Sequence, residues 1–263
     1  MSTETALEEK HALVTGGGHG IGGAIAKILS SNGAKLTLVG RNLSKLNKLR
    51  DELLNKPNIK QVEIYQLDVT DETAVIDVFA DAATNLGTID ILINNSGIAE
   101  TATYQKTSSD MLRRILEVNV IGTHICTQQV LKSMKENNWG RIINISSLAG
   151  LTGQPYISAY CASKHAVLGL TRALALELVK TGITVNAVCP AYVDTGMVDR
   201  GVENIVKVTG MSQEDATNEL AKTNPQNRII GTEEVAATVG WLCLPGSESI
   251  TGQSIAMAGG AWM

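Results

Sequence analysis

Short apolar runs alternate with amphipathic helical patterns along most of the chain, and this alternation limits the possible folds more than any other feature. The first run, at 11–15, is followed by glycines and then by a helical pattern that ends at Asn32-Gly33. Further runs lie near 36–39, 62–67, 89–93, 141–145, 183–188 and 254–257. Because several runs are apolar on both faces, they fit strands of a parallel sheet that helices cover on both sides. The pattern predicts a doubly wound α/β fold.

The chain shows no linker, low-complexity tract or internal repeat, so we expect its 263 residues to form a single domain, 1–263. The segment after Pro190 is less regular than the rest. Its apolar residues could line a substrate site or pack a helix of their own, and the sequence leaves both alternatives open. A helical pattern at 111–134 places Ile121 on its apolar side, and we expect Trp241 to pack in a core.

The balance of charges excludes several classes of protein. A net charge of −4 with 18% charged residues leaves no basic patch, so we expect no nucleic-acid partner. No apolar run is long enough for a membrane span, and the polar, acidic start of the chain lacks the features of a signal peptide. We therefore expect no membrane association and a cytoplasmic location.

The cysteines point the same way. They are far apart, they form no C-x-x-C motif, and they are Cys126, Cys161, Cys189 and Cys243. Isolated thiols in a long chain suit packing in a reducing compartment better than a disulfide or zinc frame. We expect no metal site.

A glycine-rich stretch, T-G-G-G-H-G-I-G at 15–22, lies between the first apolar run and the first helical pattern. Glycine lets a backbone turn sharply and approach a pyrophosphate, and the N-terminus of the following helix offers free N–H groups. The alternative is a turn with no ligand. Because strand, glycines and helix occur in the order that a dinucleotide site needs, we favour a dinucleotide.

Tyr160 and Lys164 are four residues apart at the start of a helical pattern, so they share one face of that helix. A cation beneath the ring favours the phenolate, and we expect Lys164 to lower the pKa of Tyr160. A phenol tuned in this way suits proton transfer at neutral pH. The spacing alone is weak evidence, because chance provides it often.

Taken together, these motifs resemble the short-chain dehydrogenase/reductase family, and the C-terminal T-G-Q-S-I-A-M-A-G-G resembles its 3-oxoacyl reductase and hydroxyacyl dehydrogenase branch. The resemblance covers about residues 10–260. It implies a Rossmann fold with a seven-stranded parallel sheet, a cofactor and catalytic core at about 10–195 and a substrate lid at about 196–227. It also implies a homo-oligomer, either a tetramer or a dimer.

The resemblance implies four catalytic residues: Asn119, Ser147, Tyr160 and Lys164. Ser147 is chosen over Ser146 because its interval to Tyr160 matches the family. Ser147 would hold the substrate oxygen, Tyr160 would exchange a proton with it, and Lys164 would tune the tyrosine and bind the nicotinamide ribose. Asn119 would mark a helix irregularity that holds a water in a proton relay.

The end of the second strand informs the choice of cofactor. An acidic residue there would bind the ribose hydroxyls of NAD, whereas this chain has Arg41, whose guanidinium matches a phosphate. We expect NADP(H), with NAD(H) as the alternative. A second alternative is that Arg41 is a solvated loop residue with no role in cofactor binding. The cofactor-binding residues implied by the resemblance are Gly16, Gly18, His19, Gly20, Ile21, Gly22, Arg41, Asn42, Asp68, Val69, Asn95, Ser96, Gly97, Tyr160, Lys164, Pro190, Val193 and Thr195. Two positions depart from the family pattern, Ser96 where alanine is usual and Ala191 where glycine is usual.

The substrate is least constrained. Candidate contacts, beside Ser147 and Tyr160, are Gln154, Tyr156, Tyr192 and Met197. We consider an NADP(H)-dependent reductase of a 3-oxoacyl thioester or similar ketone, an NAD-dependent catabolic hydroxyacyl or secondary-alcohol dehydrogenase, and a non-catalytic nucleotide sensor. Fold alone does not decide among them.

Overall fold

A computed structural model of the chain describes residues 6–56, 59 and 61–262, and within these seven strands form one parallel sheet. In space the strands follow the order β3-β2-β1-β4-β5-β6-β7. Their bounds are β1 His11–Thr15, β2 Lys35–Gly40, β3 Val62–Gln66, β4 Ile91–Asn94, β5 Gly140–Ile145, β6 Ile183–Pro190 and β7 Ser254–Met257. The doubly wound α/β fold expected from the sequence is confirmed.

Helices cover both faces of this sheet. Their bounds are α1 Gly20–Ser31, α2 Leu43–Leu54, α3 Glu72–Leu86, α4 Ser109–Leu116, α5 Gly122–Glu136, α6 Ser158–Glu177, α7 Gly196–Thr209, α8 Gln213–Ala221 and α9 Thr232–Cys243. Buried side chains of α1, α2 and α9 form one apolar core with the sheet, and those of α3, α5 and α6 form a second. Because each face of the sheet is covered, its strands are apolar on both sides.

The strand order reverses between β1 and β4, which are direct neighbours with Val14 opposite Ile93. From β1 the chain winds outward through β2 and β3, returns to β4, and then winds to the other edge. The segments that leave β1 and β4 diverge at this point and open a crevice outside the carboxyl ends of the strands. The glycine-rich stretch and residues 94–97 meet at this crevice.

Residues 196–227 are largely helical. They contain two helices, α7 and α8, and α7 stops at Gly210, whose φ of 75° is left-handed. The periodicity of α7 is hard to see in the sequence because glycines at 196 and 201 interrupt a short apolar stripe. The segment is therefore more regular than its sequence pattern indicates, and the helical alternative holds.

Two expectations about packing are wrong. The side chains of Trp241 on α9 and Ile121 before α5 are 49% and 42% exposed. Both lie on faces of their helices that no described residue covers well. The four cysteines, by contrast, are free and buried, as expected of packing thiols.

The ends of the segment that contains α7 and α8 are joined by backbone hydrogen bonds. Val193 and Ile230 form an isolated parallel bridge. Asp194 donates its N–H to the Ile230 carbonyl at 2.9 Å, and Ile230 donates to the Tyr192 carbonyl at 3.0 Å. Both helices therefore belong to an excursion that leaves and rejoins the core at one place. We call residues 194–229 the lid.

Among the described residues, no helix combines the length and the apolarity that crossing a bilayer requires.

Candidate active site

The glycine-rich turn after β1 is braced by residues that follow β4. The Thr15 hydroxyl accepts N–H hydrogen bonds from Asn95 at 2.9 Å and Ser96 at 3.0 Å. The Asn95 amide donates to the carbonyls of Thr15 at 2.9 Å and Gly16 at 3.2 Å. The crevice between β1 and β4 is thus held in one shape. The Asn95 side chain serves the turn itself and is not left for the adenosine.

The turn needs glycine for close approach. A Cβ on Gly22 would collide with the Gly16 carbonyl oxygen and stand 2.5 Å from the Asn95 amide nitrogen. Gly20, the first residue of α1, has a left-handed φ of 55°. His19, the N-cap residue of α1, makes no side-chain cap, so N–H groups of the first helical turn face the crevice. These features fit a dinucleotide diphosphate.

The adenosine side carries basic side chains. Arg41 and His19 are exposed at the crevice, and Lys45 adjoins the glycine turn, where a Cβ on Gly18 would stand 3.3 Å from its own Cβ. Lys45 was missed because it sits on the first turn of α2, where a lysine looks like part of a solvated face. Burial, followed by the charges of Lys45 and Arg200, lowers the pKa of His19.

The remaining residues expected near the adenosine serve local structure. Asn42 caps α2 by accepting the Lys45 N–H at 3.0 Å. The Asp68 carboxylate accepts hydrogen bonds from the N–H and the hydroxyl of Thr70, at 3.1 and 2.8 Å, and Val69 is buried. These positions shape the crevice wall, and Asp68 keeps one carboxylate oxygen without a hydrogen bond from any described residue.

Ser147, Tyr160 and Lys164 meet beyond the carboxyl ends of β5 and β6. Ser147 begins a short 3-10 turn, where its hydroxyl accepts the Ala149 N–H at 3.1 Å. Tyr160 lies in the first turn of α6, close to Ser147, whose hydroxyl donates to the Pro190 carbonyl at 3.4 Å. The Lys164 Nζ lies 5.6 Å from the Tyr160 ring centre. The structure therefore brings together the three residues that the sequence paired by spacing.

The direction of the Tyr160 pKa differs from our expectation. Burial raises the pKa of Tyr160 to about 12, and the nearby Ser147 hydroxyl opposes this rise only in part. Burial also lowers the pKa of Lys164 to about 8, so burial destabilises the charged ammonium form of the lysine. The Lys164 Nζ donates at 2.8 Å to the Ile145 carbonyl and not to the phenol. The expectation that Lys164 lowers the pKa of Tyr160 is wrong for the protein alone, because desolvation dominates.

Asn119 lies in a π-helical stretch, Glu117–Ile121, between α4 and α5. Its side-chain oxygen accepts the Ile98 N–H at 2.8 Å, and its amide nitrogen donates to the Ile98 carbonyl at 2.9 Å. The same nitrogen donates to the Ser163 hydroxyl at 3.0 Å. The helix irregularity expected at Asn119 is confirmed. The amide joins the segment after β4 to α6, beside Lys164.

Ser163 and Ser146 complete this arrangement. No sequence pattern singles out Ser163, whose hydroxyl accepts from Asn119 and donates to the Tyr160 carbonyl at 2.7 Å. Ser146 donates its hydroxyl to the Lys164 carbonyl at 3.2 Å and is buried. Ser146 thus ties the end of β5 to α6.

The segment after β6 approaches the glycine turn. Pro190 ends the strand, and the Ala191 N–H bonds to the Met257 carbonyl at 2.9 Å, so alanine is accommodated here. The Val193 side chain is buried in the core, which leaves only its backbone for a ligand. The Thr195 Cγ2 would stand 3.4 Å from a Cβ on Gly20. Thr195 therefore lies where the lid begins and where α1 begins.

The substrate candidates are spread around this cleft. Tyr192 is near enough to Tyr160 to contribute to the rise of its pKa, and Met197 is 37% exposed on the first turn of α7. The Gln154 side chain makes no hydrogen bond to any described residue, so nothing in its contacts assigns it a role. Tyr156 is 62% exposed with a left-handed φ of 68°, and its carbonyl accepts the Ala102 N–H at 2.8 Å.

Comparison with known proteins gives a consistent result. A sequence model of the short chain dehydrogenase family matches residues 10–227. A D-beta-hydroxybutyrate dehydrogenase of Rhizobium meliloti is 34% identical over 95% of this chain and 98% of its own. A 3-oxoacyl-[acyl-carrier-protein] reductase of Aquifex aeolicus is 33% identical over 98% of this chain and 99% of its own. Among solved structures, a variant of the actinorhodin polyketide ketoreductase with NADPH superposes with a TM-score of 0.92 at 33% identity, covering 99% of both chains.

Proposed function

This chain belongs to the short-chain dehydrogenase family, and on that basis we propose that it reduces a 3-oxoacyl thioester or a similar carbonyl compound with NADPH. Family membership and the named relatives make it an NAD(P)-dependent oxidoreductase that interconverts C=O and CH–OH groups. Arg41 after β2, with no carboxylate beside it, supports NADP(H) as the cofactor, as does the likeness to a ketoreductase with NADPH.

One observation carries the proposal. Ser147, Tyr160 and Lys164 converge beyond the carboxyl ends of β5 and β6, while the glycine turn lies beyond the end of β1. In a parallel sheet all these ends lie along the same edge, so a hydroxyl, a phenol and an ammonium adjoin one dinucleotide crevice. Such a set of groups serves proton transfer beside a redox cofactor.

In the proposed mechanism each protein group acts on a stated atom. The bound nicotinamide supplies the hydride in reduction. Ser147 donates a hydrogen bond to the substrate carbonyl oxygen and stabilises the charge that develops there, and Tyr160 transfers its proton to that oxygen. Lys164 would hold the nicotinamide ribose hydroxyls. The Asn119 amide, through Ile98 and Ser163, keeps the Tyr160–Lys164 turn of α6 in register.

The protonation of Tyr160 supports the reductive direction. A phenol whose pKa is raised to about 12 holds its proton at neutral pH and is ready to donate it to an alkoxide. Oxidation of an alcohol would need the phenolate, which burial disfavours. Without ligands, the protein therefore keeps Tyr160 in the protonated form that can act as a general acid.

The alternative is an NAD-dependent hydroxyacyl or secondary-alcohol dehydrogenase, and the relative from Rhizobium meliloti favours it by its name. The two proposed activities differ in their cofactor and, to a lesser degree, in the direction of the reaction. A non-catalytic nucleotide sensor is supported by no feature of the cleft, since the chain keeps all four residues that we propose as catalytic.

A screen of purified protein tests the proposal. Acyl thioesters, cyclic ketones and aromatic ketones would each be offered with NADPH and with NADH, and the reverse reaction would be followed with the matching alcohols. We expect turnover of at least one ketone class with a marked preference for NADPH. Tight NADH binding with feeble NADPH binding would favour the alternative. Binding of cofactor with no turnover across the panel would favour the sensor.

The remaining assignments are proposals on weaker support. A single domain agrees with the one sheet formed by the described residues, and four free buried thiols agree with a cytoplasmic location. A homotetramer would cover the edge strand β7 and the exposed Trp241 of α9. Light scattering of the eluting protein would measure its mass, and a monomer would contradict the oligomer.

A further inference from the structure

Arg200 occupies an unfavourable place. It lies in α7, and its Nη1 reaches back to 3.8 Å from where a Cβ on Gly196, the first residue of that helix, would stand. A cation near a helix N-terminus opposes the helix dipole. Asp199 also approaches Gly196, to 3.9 Å on the same basis, yet Arg200 forms no hydrogen bond or ion pair with any described residue.

The N-terminus of α1 lies against the N-terminus of α7. The Thr195 Cγ2, at the N-cap of α7, would stand 3.4 Å from a Cβ on Gly20, at the start of α1. Neither N-cap residue makes a side-chain cap, and the first turn of α1 contains no acidic residue. Two positive helix ends thus face one spot, and Arg200 adds a formal charge to them.

Neighbouring side chains strengthen the positive potential. The charges of Arg200 and Lys45 both bear on His19, and after burial they lower the pKa of its ring. Two cationic side chains, Arg200 and Lys45, therefore converge with two helix ends, and Asp199 is the single described acid that we find facing them from α7. Such an arrangement costs free energy until an anion is bound.

We propose that Arg200 is a latch between the lid and the cofactor: its guanidinium contacts the diphosphate at the start of α1 and holds α7 against the core. This inference rests on the dinucleotide binding proposed above. Arg200 is a positioning residue, because it acts on lid closure and not on the reacting atoms. The diphosphate, and not the 2′-phosphate, is the partner, since Thr195 at the N-cap of α7 adjoins Gly20 of the glycine turn whereas Arg41 lies after β2.

Binding measurements with two cofactors separate these subsites. The dissociation constants of NADPH and NADH would be measured for wild type, Arg200→Gln, Arg200→Lys and Arg41→Gln. The matched control is Lys207→Gln, an exposed charge in the last turn of the same helix. Because both nucleotides contain the diphosphate, Arg200→Gln should weaken both by the same factor of about ten. Arg200→Lys should lose less, Lys207→Gln nothing, and Arg41→Gln should weaken NADPH more than NADH.

Hydrogen exchange supplies a readout independent of activity. NADPH should slow amide exchange in α7 of the wild type and of Lys207→Gln, and should slow it much less in Arg200→Gln at saturating nucleotide. Unchanged affinity in Arg200→Gln, or α7 protection equal to that of the wild type, would overturn the latch.

Two further results would also count against the latch. Weakening confined to NADPH would move Arg200 to the 2′-phosphate, and weakening confined to free coenzyme A, measured in parallel, would move it to a phosphate of the substrate. Wild-type protein that bound neither nucleotide would refute the proposed function as well, which distinguishes that failure from failure of the latch alone.

Discussion

The ammonium nitrogen of Lys164 lies 5.6 Å from the centre of the Tyr160 ring and donates its hydrogen bond to the Ile145 carbonyl. The lysine is therefore held by the end of β5, beside the tyrosine and not bonded to its hydroxyl. Each side chain is desolvated, and burial opposes the charged form of each. We conclude that the protein supplies the positions of the pair, and that burial keeps the Tyr160 phenol protonated at neutral pH.

Replacing Tyr160 by phenylalanine should lower kcat by about 10²–10⁴-fold, because the proton donor is lost while the ring is kept. NADPH affinity should change little. The measurement is steady-state reduction of the best ketone, with nucleotide binding followed by fluorescence. Tyr65→Phe is the control, since the exposed Asn85 is the single partner of that hydroxyl among the residues that the structure describes. Near-normal turnover in Tyr160→Phe would refute the assignment of the proton donor.

The pH dependence should separate the two directions. Reduction needs the protonated phenol, and the raised pKa of Tyr160 keeps it protonated at neutral pH, so kcat/KM for reduction should be flat there. It should fall as pH rises past about 8, where Lys164 loses its proton. Oxidation, which needs the phenolate, should be slow at neutral pH and faster in alkali. A reduction rate that climbs between neutral pH and 9 would contradict this picture.

Arg41 should decide the preference between the two cofactors. Arg41→Asp replaces an exposed guanidinium by a carboxylate at the end of β2, which repels a 2′-phosphate and can accept hydrogen bonds from ribose hydroxyls. We expect kcat/KM with NADPH to fall by at least about tenfold while that with NADH holds or rises. Arg50→Asp, on the exposed face of α2, is the matched control. Equal losses with both cofactors would show that Arg41 does not read the 2′-phosphate.

Asn119 should support stability as well as turnover. Asn119→Ala leaves the Ile98 N–H without its acceptor and the Ser163 hydroxyl without its donor, in a buried region. Each unpaired buried group costs about 1–3 kcal/mol, so the loss of two partners should lower the free energy of unfolding by about 2–6 kcal/mol. Urea denaturation measures this, with Asn47→Ala on the exposed face of α2 as control. A loss of activity without any loss of stability would point to a role other than holding these elements together.

The sequence was sufficient for what depends on local pattern. Apolar runs located the strands, the glycines of 16–22 located the turn, and the spacing of Tyr160 and Lys164 placed both on one face of α6. Lys45 and Arg200 could not be placed, because α2 and α7 bring them to the glycine turn only through tertiary packing. The direction of the pKa shift of Tyr160 could not be predicted from the sequence either. It depends on how burial compares with the contacts of Lys164, and the sequence contains neither quantity.

The pairing of Val193 with Ile230 has an evolutionary consequence. Because the lid leaves and rejoins the core where Val193 pairs with Ile230, residues 194–229 can vary in length and sequence while β6 and α9 stay in place. The core and the lid can thus evolve at different rates, one conserving the redox apparatus and the other exploring new ligands. Val193 and Ile230 also mark the two positions at which a lid from a relative could be grafted onto this core.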